Sequence, residues 1–213
     1  MTPPLVEFWF EFASNYSYLS VMRIEQEAAR AGVKIEWRPF LLGPIFQSFG
    51  WSTSPFVLQP WKTEYVWRDM ERQCRKYGLA WRRPSTFPRA SLLPARVALS
   101  GVGQAWMPEF CRRVMQLNFA ADRDIAGAAC LAEVLGQLGL PAEDIIDEAQ
   151  GEENKLRLRR QTETARAKGI FGAPSFVVGE DLFWGNDRLE DALAAAAASA
   201  AAAASKPVDG RIS

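Results

Sequence analysis

Histidine is missing from all 213 positions of the chain. That absence removes Ser-His-Asp and Cys-His catalysis, histidine-rich metal sites and imidazole general bases together. Cysteine is scarce: Cys74, Cys111 and Cys130 are far apart, odd in number and form no Cys-x-x-Cys pair. Neither a dithiol redox site nor a disulfide framework is expected from them. They fall on apolar helical stripes and read as small buried hydrophobes in a reducing compartment. An excess of either charge is also lacking, since Lys plus Arg number 25 and Asp plus Glu number 25. No overall field draws nucleic acid or an anionic membrane to the protein. No run reaches the ~20 apolar residues that span a bilayer, and the alanine-rich stretch from Ala192 to Ala204 reads as a soluble helix. A basic segment followed by a long apolar one does not open the chain, so a cytoplasmic protein without a metal is the expectation.

What is present is an ordered series of strand and helix patterns. Leu5 to Phe10 is short, apolar and aromatic, which predicts a buried strand. Ser14 or Asn15 is placed to cap a helix whose Tyr18, Val21, Ile24 and Ala28 share one face, with Gly32 closing it. Val33 to Arg38 predicts a second strand, and strand-helix-strand with one short connection implies a parallel βαβ unit. Residues 39–60, rich in Gly, Pro, Ser and Phe, predict a loop-rich wall or lid. Residues 61–168 carry apolar stripes of helical period and predict a block of five or six helices. Ser175 to Val178 and Leu182 to Trp184 then form a hairpin around Gly179-Glu180-Asp181, and Gly185-Asn186-Asp187 opens a last helix. Residues 206–213 have no period and predict a flexible tail. The order is βαβ, helical block, ββα. Removing the block leaves an α/β thioredoxin-like core, expected to hold a mostly parallel four-stranded sheet. Residues 1–60 and 169–205 would form that domain, and 61–168 an inserted all-helical one.

In such a sheet the ligand crevice lies beyond the carboxyl ends of the strands. Ser14 sits just past the end of the first strand, where a thioredoxin-type site would carry its reactive cysteine. A thiolate placed there meets the positive end of a helix and a hydroxyl donor, and both favour the anion. With no paired cysteine in the chain, that thiol must come from outside. Ser14 can equally be a helix cap and nothing more. Ala173-Pro174, directly before a strand, is expected to be cis, leaving the Ala173 backbone N–H and C=O free to pair with an extended peptide such as glutathione. The alternative is a rigid turn. Asn186 and Asp187 open the last helix, where N–H groups bind a carboxylate and the Asp187 side chain can meet an ammonium. They too can be simple caps. Lys62 is placed to reach a second carboxylate, or to be solvated. Trp51 and Phe56, in Gly/Ser/Pro-rich sequence, are the better pocket candidates among the aromatics.

Five segments together resemble a known family. They are Phe10-Glu11-Phe12-Ala13-Ser14-Asn15-Tyr16-Ser17-Tyr18-Leu19, Arg38-Pro39-Phe40-Leu41-Leu42-Gly43-Pro44, Ser54-Pro55-Phe56, Phe171-Gly172-Ala173-Pro174 and Phe183-Trp184-Gly185-Asn186-Asp187-Arg188-Leu189. The chain resembles the 2-hydroxychromene-2-carboxylate isomerases, glutathione-dependent relatives of kappa-class glutathione transferases and of DsbA-type disulfide oxidoreductases. The resemblance runs to about Ala194. It implies a thioredoxin fold with a helical insertion, a homodimer, glutathione as cofactor and a small aromatic-derived hydroxy or keto acid as substrate. It also implies that Ser14 is the catalytic serine at the glutathione sulfur, with Lys62, Ala173, Pro174, Asn186 and Asp187 holding glutathione. Thr53 stands where the family carries a glutathione-contacting asparagine, Glu11 where it often has Asp, and Asn15 where it often has Pro. The alternatives are a kappa-type transferase or peroxidase, which would consume the thiol, and a non-catalytic glutathione-binding protein.

Overall fold

Strand β1 (Leu5–Phe10) is apolar on both faces and takes the centre of the sheet. Val6, Phe8 and Phe10 alternate onto one face and Trp9 onto the other, all essentially out of water. Phe8 stacks on Phe176 at 5.4 Å and meets the edge of Trp37 at 5.2 Å, which ties three strands together through rings alone. The computed structural model describes residues 3–204, and the tail expected over 206–213 lies outside them.

Helix α1 (Asn15–Ala31) starts at Ser14, whose side chain accepts the Ser17 N–H, and ends at Gly32 with φ 65°, a left-handed conformation that glycine adopts without cost. Strand β2 (Lys34–Pro39) follows and pairs parallel to β1. Helices α2 (Leu42–Ser48) and α3 (Pro55–Leu58) come next. They correct the expectation of a loop-rich wall over 39–60. The prolines and Ser54, which read as helix breakers, are helix starters: Pro55 stands in the first turn of α3, and Ser54 caps it by accepting the Phe56 N–H. The helical block holds six helices: α4 (Pro60–Tyr77), α5 (Leu92–Ser100), α6 (Met107–Phe119), α7 (Ala128–Gln137), α8 (Ala142–Gln150) and α9 (Glu152–Ala167). Its apolar core joins that of α1, where Tyr18 packs on Phe119 at 5.6 Å.

Strands β3 (Ser175–Val178) and β4 (Asp181–Trp184) form the hairpin, and a 3-10 turn over Asn186–Arg188 leads into α10 (Leu189–Ala204). The sheet order is β2-β1-β3-β4. It is not mostly parallel: β1 runs parallel to β2, but β3 runs antiparallel to both β1 and β4. The cause lies in the helical block. The chain leaves the sheet at the carboxyl end of β2, and α9, which packs on β2 and α2, returns it to that same end. Ser175, the first residue of β3, therefore lies opposite Trp9, near the end of β1. A parallel β3 would need a further crossing of the sheet. Helices α1 and α10 cover one face; α2 and α9 cover the other, with Phe40, Ile45, Ala165 and Ile170 around Trp9. The functional consequence is that the end of β1, the start of β3 and the end of β4 share one edge.

Candidate active site

Ser14 lies at the centre of that edge. A tight turn leads out of β1, closed by the Ser14 N–H donating to the Glu11 carbonyl at 3.0 Å. The Ser14 Oγ accepts the Ser17 N–H at 3.1 Å and donates its own hydrogen to the Ala173 carbonyl at 2.8 Å. The residue is therefore a cap and also a bridge to the turn before β3. The Ala173–Pro174 bond is cis, as is Phe87–Pro88, for which the sequence carries no comparable signal. The Ala173 carbonyl already accepts one hydrogen bond, from the single hydrogen of the Ser14 hydroxyl, and keeps its second lone pair for another donor. A sulfur anion arriving beside Ser14 would compete for that hydrogen and, by taking it, release the carbonyl. Asn15, at the first helical position, is wholly buried with neither polar side-chain atom hydrogen-bonded.

On one side of Ser14 is a cavity of about 730 Å³. Lys62, Ala173, Pro174, Asn186 and Asp187 all line it, as do Trp51 and Phe56. Lys62 stands in the first turn of α4 and is exposed. Phe171 and Trp184, 4.8 Å apart and both partly exposed, form an aromatic wall. Gly172 is required beneath it, since a Cβ there would lie 2.3 Å from the Trp184 Nε1. Asn186 holds its turn onto α1 rather than offering its side chain: Oδ1 accepts from Ser20 at 3.1 Å and from Arg23 at 3.2 Å. The turn itself, Gly185 to Arg188, lines the cavity. The Asp187 carboxylate is exposed, 3.5 Å from Arg188. The Tyr16 hydroxyl, also on this cavity, donates to Asp69 at 2.8 Å. Burial first, and then that hydrogen bond, hold its pKa well above the ordinary tyrosine range, so it stays protonated.

On the other side is a smaller cavity of about 290 Å³, lined by Glu11, Ser14, Thr53, Phe87, Arg89 and Ser91 among others. Leu42, Phe46 and Trp51 separate the two, lining both. Ser14 and Thr53 thus face the small cavity, and the other five expected residues the large one. Glu11 is buried and accepts the Ser91 hydroxyl at Oε1. Burial pushes its carboxyl up to about 7, against the opposing pull of the Ser91 hydroxyl and the Ala13 N–H. Arg89 is also buried, but its guanidinium is taken. It donates to the Asn118 carbonyl at 3.1 Å, to Asn118 Oδ1 at 2.9 Å and to Asp122. Asn118 in turn donates to the Phe12 carbonyl at 3.0 Å, so this network braces the Glu11–Ser14 turn from behind. A third cavity, of about 650 Å³, lies at the amino ends of β1 and β2, away from Ser14.

The cysteines stand apart. None lines either cavity. Burial pushes Cys74 up to about 12 and raises Cys111 and Cys130 as well, so none is poised as a thiolate at neutral pH. Sequence reasoning did not anticipate that Ser91 and Arg89 line the small cavity, Tyr16 and Asp69 the large one, or that Asn118 braces the turn, and took Glu11 only as a departure from a pattern. Glu11 did leave a signal, a carboxylate set between Phe10 and Phe12 at the end of a buried strand.

Residues 5–197 match the DSBA-like thioredoxin domain. The chain is 27% identical over 188 residues to a 2-hydroxychromene-2-carboxylate isomerase of Sphingobium xenophagum, covering 87% of this chain and 94% of the relative. It is 24% identical over 178 residues to glutathione S-transferase kappa 2 of Caenorhabditis elegans, covering 80% and 79%. Among solved structures, a 2-hydroxychromene-2-carboxylate isomerase superposes with a TM-score of 0.84 at 22% identity, over 94% of this chain and 98% of that one, a likeness of fold.

Proposed function

The chain belongs to the DSBA-like thioredoxin-domain family, and we propose that within it this protein is a glutathione-dependent isomerase acting on an aromatic-derived hydroxy or keto acid of the 2-hydroxychromene-2-carboxylate type. The observation that carries the reading is the pairing of Ser14, in the place of a reactive cysteine, with two cavities that contain no cysteine at all. The larger cavity suits glutathione by volume and by donor set. It offers an ammonium at Lys62, a carboxylate at Asp187 and backbone along Ala173 and the 186–188 turn. Bound glutathione supplies a nucleophilic thiolate that adds reversibly to a conjugated carbon, making a double bond single and free to rotate, and is regenerated.

The chain's own residues supply the rest. Ser14 turns its hydrogen from Ala173 toward the sulfur and, with the N-terminus of α1, holds the sulfur as its anion. Trp51, Phe46 and Phe87 give a flat acceptor apolar walls on the far side. A kappa-type transferase would use the same thiolate and consume it, and the nematode relative keeps that reading in view. Product analysis separates the two. Isomerisation of 2-hydroxychromene-2-carboxylate leaves free glutathione unchanged in amount, whereas transfer depletes it mole for mole. Ultraviolet titration of glutathione with the protein tests activation directly: thiolate absorbance should appear below the pH at which free glutathione ionises, and its absence would defeat both readings. The proposal carries with it a homodimer, to be checked by sedimentation, and a reducing, cytoplasmic setting that suits three unpaired thiols. Among the described residues no helix is long and apolar enough to cross a membrane.

A further inference from the structure

An acceptor that meets a thiolate needs a proton as well as a nucleophile. When sulfur adds to the far carbon of a conjugated keto acid, negative charge arrives on the carbonyl oxygen. A proton delivered there lowers the barrier, and it must leave again as the carbon–sulfur bond breaks. No histidine exists to do this. In the smaller cavity the charged lining residues are Glu11 and Arg89, and Arg89 is bound to Asn118 and Asp122.

Resting on the isomerase reading above, we propose that Glu11 is the proton-transfer residue of this site. Its carboxyl gives a proton to the acceptor's carbonyl oxygen as the carbon–sulfur bond forms, and takes it back as that bond breaks. The carbon–carbon π pair shifts to make an enol on the first step and returns on the second. No proton or electron is left over, and no oxidant or reductant is involved.

The geometry favours this assignment in three ways. Glu11 and Ser14 are the two ends of one tight turn, closed by the 3.0 Å bond from the Ser14 N–H to the Glu11 carbonyl. Their α-carbons therefore lie within the ~7 Å that defines such a turn, and both residues line the same cavity. One acceptor can thus reach both the sulfur held by Ser14 and the Glu11 carboxyl. The carboxyl is also fixed in place, by the Ser91 hydroxyl before α5 and by a turn that Asn118 of α6 braces at Phe12. Finally, the groups packed around it carry no competing free charge: Ser17 of α1 and Ser91 are neutral, and Arg89 is paired. With its carboxyl pushed up to about 7, Glu11 is substantially protonated at neutral pH. In that form it does not repel a substrate carboxylate, and its acidity is matched to transfer in both directions.

The test compares wild type with Glu11→Gln, Glu11→Asp and Ser91→Ala, using 2-hydroxychromene-2-carboxylate and glutathione as probes. Two readouts do not depend on turnover. Infrared difference titration of the glutathione-free protein should show a carboxyl signal titrating near pH 7 that Glu11→Gln removes. Thiolate absorbance of bound glutathione should persist in Glu11→Gln, because Ser14 is untouched, and should form at least as readily above pH 7, where wild type carries a nearby carboxylate. In the assay, Glu11→Gln should slow isomerisation by roughly 10²- to 10⁴-fold and abolish the fall in rate above pH 7. Glu11→Asp should keep that fall, with an intermediate rate. Ser91→Ala should move it to higher pH, because the lost hydrogen bond favours the carboxylate. A Glu11→Gln rate within a few-fold of an active wild type, with the same pH profile, overturns the role of Glu11 alone. So does a Glu11 signal that titrates in the ordinary carboxylate range. A wild type that forms the thiolate yet isomerises nothing overturns the functional reading, and the role of Glu11 with it.

Discussion

On one side of Ser14 lie charged groups that water also reaches: Lys62, Asp187 and Arg188 are exposed around a wide cavity with a half-open aromatic wall. On the other side the ionisable groups, Glu11 and Arg89, are almost out of water, and Arg89 is held in a network rather than offered to a ligand. The contrast separates two tasks. Holding a charged, flexible peptide needs many polar contacts, each of modest worth in water. Directing a proton or a forming charge needs few groups, kept dry, where each interaction counts for more. Ser14 lines the dry side and is hydrogen-bonded to Ala173 of the wide one, and that makes it the first place to break the comparison.

Replacing Ser14 by alanine should have the largest effect. The variant loses the donor that would face the sulfur, and turnover at neutral pH should fall by roughly 10²- to 10³-fold, the usual cost of one preorganised donor. Glutathione binding should survive, since Lys62, Ala173 and the start of the 186–188 turn remain. Raising the pH should restore part of the rate as the thiol ionises unaided. Stability should drop by about 1 kcal/mol for the lost cap of α1. A pH–rate profile beside a glutathione titration settles it: lost binding with an unchanged profile would make Ser14 a cap and nothing else.

The dry side should show its cost in stability. The folded Glu11 carboxyl sits at about 7 and, unfolded, at its ordinary 4.5. Between these values the folded state binds the proton more tightly, so the protein loses stability as pH rises from about 4.5 through 7 and levels off above. Desolvation by burial is the main cause. Glu11→Gln cannot ionise and escapes this loss. It should be more stable than wild type by on the order of 3 kcal/mol at pH 8 and by only about 1 kcal/mol at pH 5. Urea unfolding at the two pH values measures the difference, and an equal gain at both would show that the carboxyl is not desolvated.

The two sides also differ in how far they can be read from sequence. The wide side is built from local signals: the turn before β3, the glycine after β4 and a helix start each announce themselves within a few residues. Such signals lead to Ala173, Pro174, Asn186 and Asp187, and the family resemblance adds Lys62; all five line the one cavity. The dry side joins Glu11 to Thr53, Phe87, Arg89 and Ser91, segments up to 80 residues apart in the case of Glu11 and Ser91. No periodicity links them. The direction of β3 escaped for a similar reason, since it depends on where six intervening helices deliver the chain. Helices α2 and α3 escaped because proline at a helix start and proline in a loop look alike in sequence.

Asn15 offers a smaller test of how this junction is built. Its buried amide has no partner, an arrangement that costs stability. It stands at the first helical position, where the missing N–H of proline is no loss. Ser14 before it has φ −83° and ψ 114°, the extended backbone that a following proline demands. Asn15→Pro should therefore stabilise the protein by about 1–2 kcal/mol in thermal or urea unfolding and leave the thiolate absorbance of bound glutathione as it is. A loss of stability would show that the Asn15 amide is satisfied by water or that its N–H is in use.

The smallest effect on function should come from the residues that fold-level analogy would rank first. In a disulfide oxidoreductase the protein's own cysteines do the chemistry. Here Cys74 lies on α4, Cys111 on α6 and Cys130 on α7, all outside both cavities. Burial holds the thiols up, and the geometry of the two fully buried ones gives an external disulfide no access. Replacing all three by alanine should leave glutathione-dependent turnover within about twofold of wild type, a change too small to need a catalytic cause. The cost should fall on stability instead, at about 1 kcal/mol for each of Cys74 and Cys111, the worth of one buried methylene-sized group, and less for the half-buried Cys130. A folded triple variant that binds glutathione, forms its thiolate and yet fails to turn over would mean that a protein sulfur takes part after all. The proposed division into a wide side that holds the thiol and a dry side that receives the acceptor would then have to be redrawn around it.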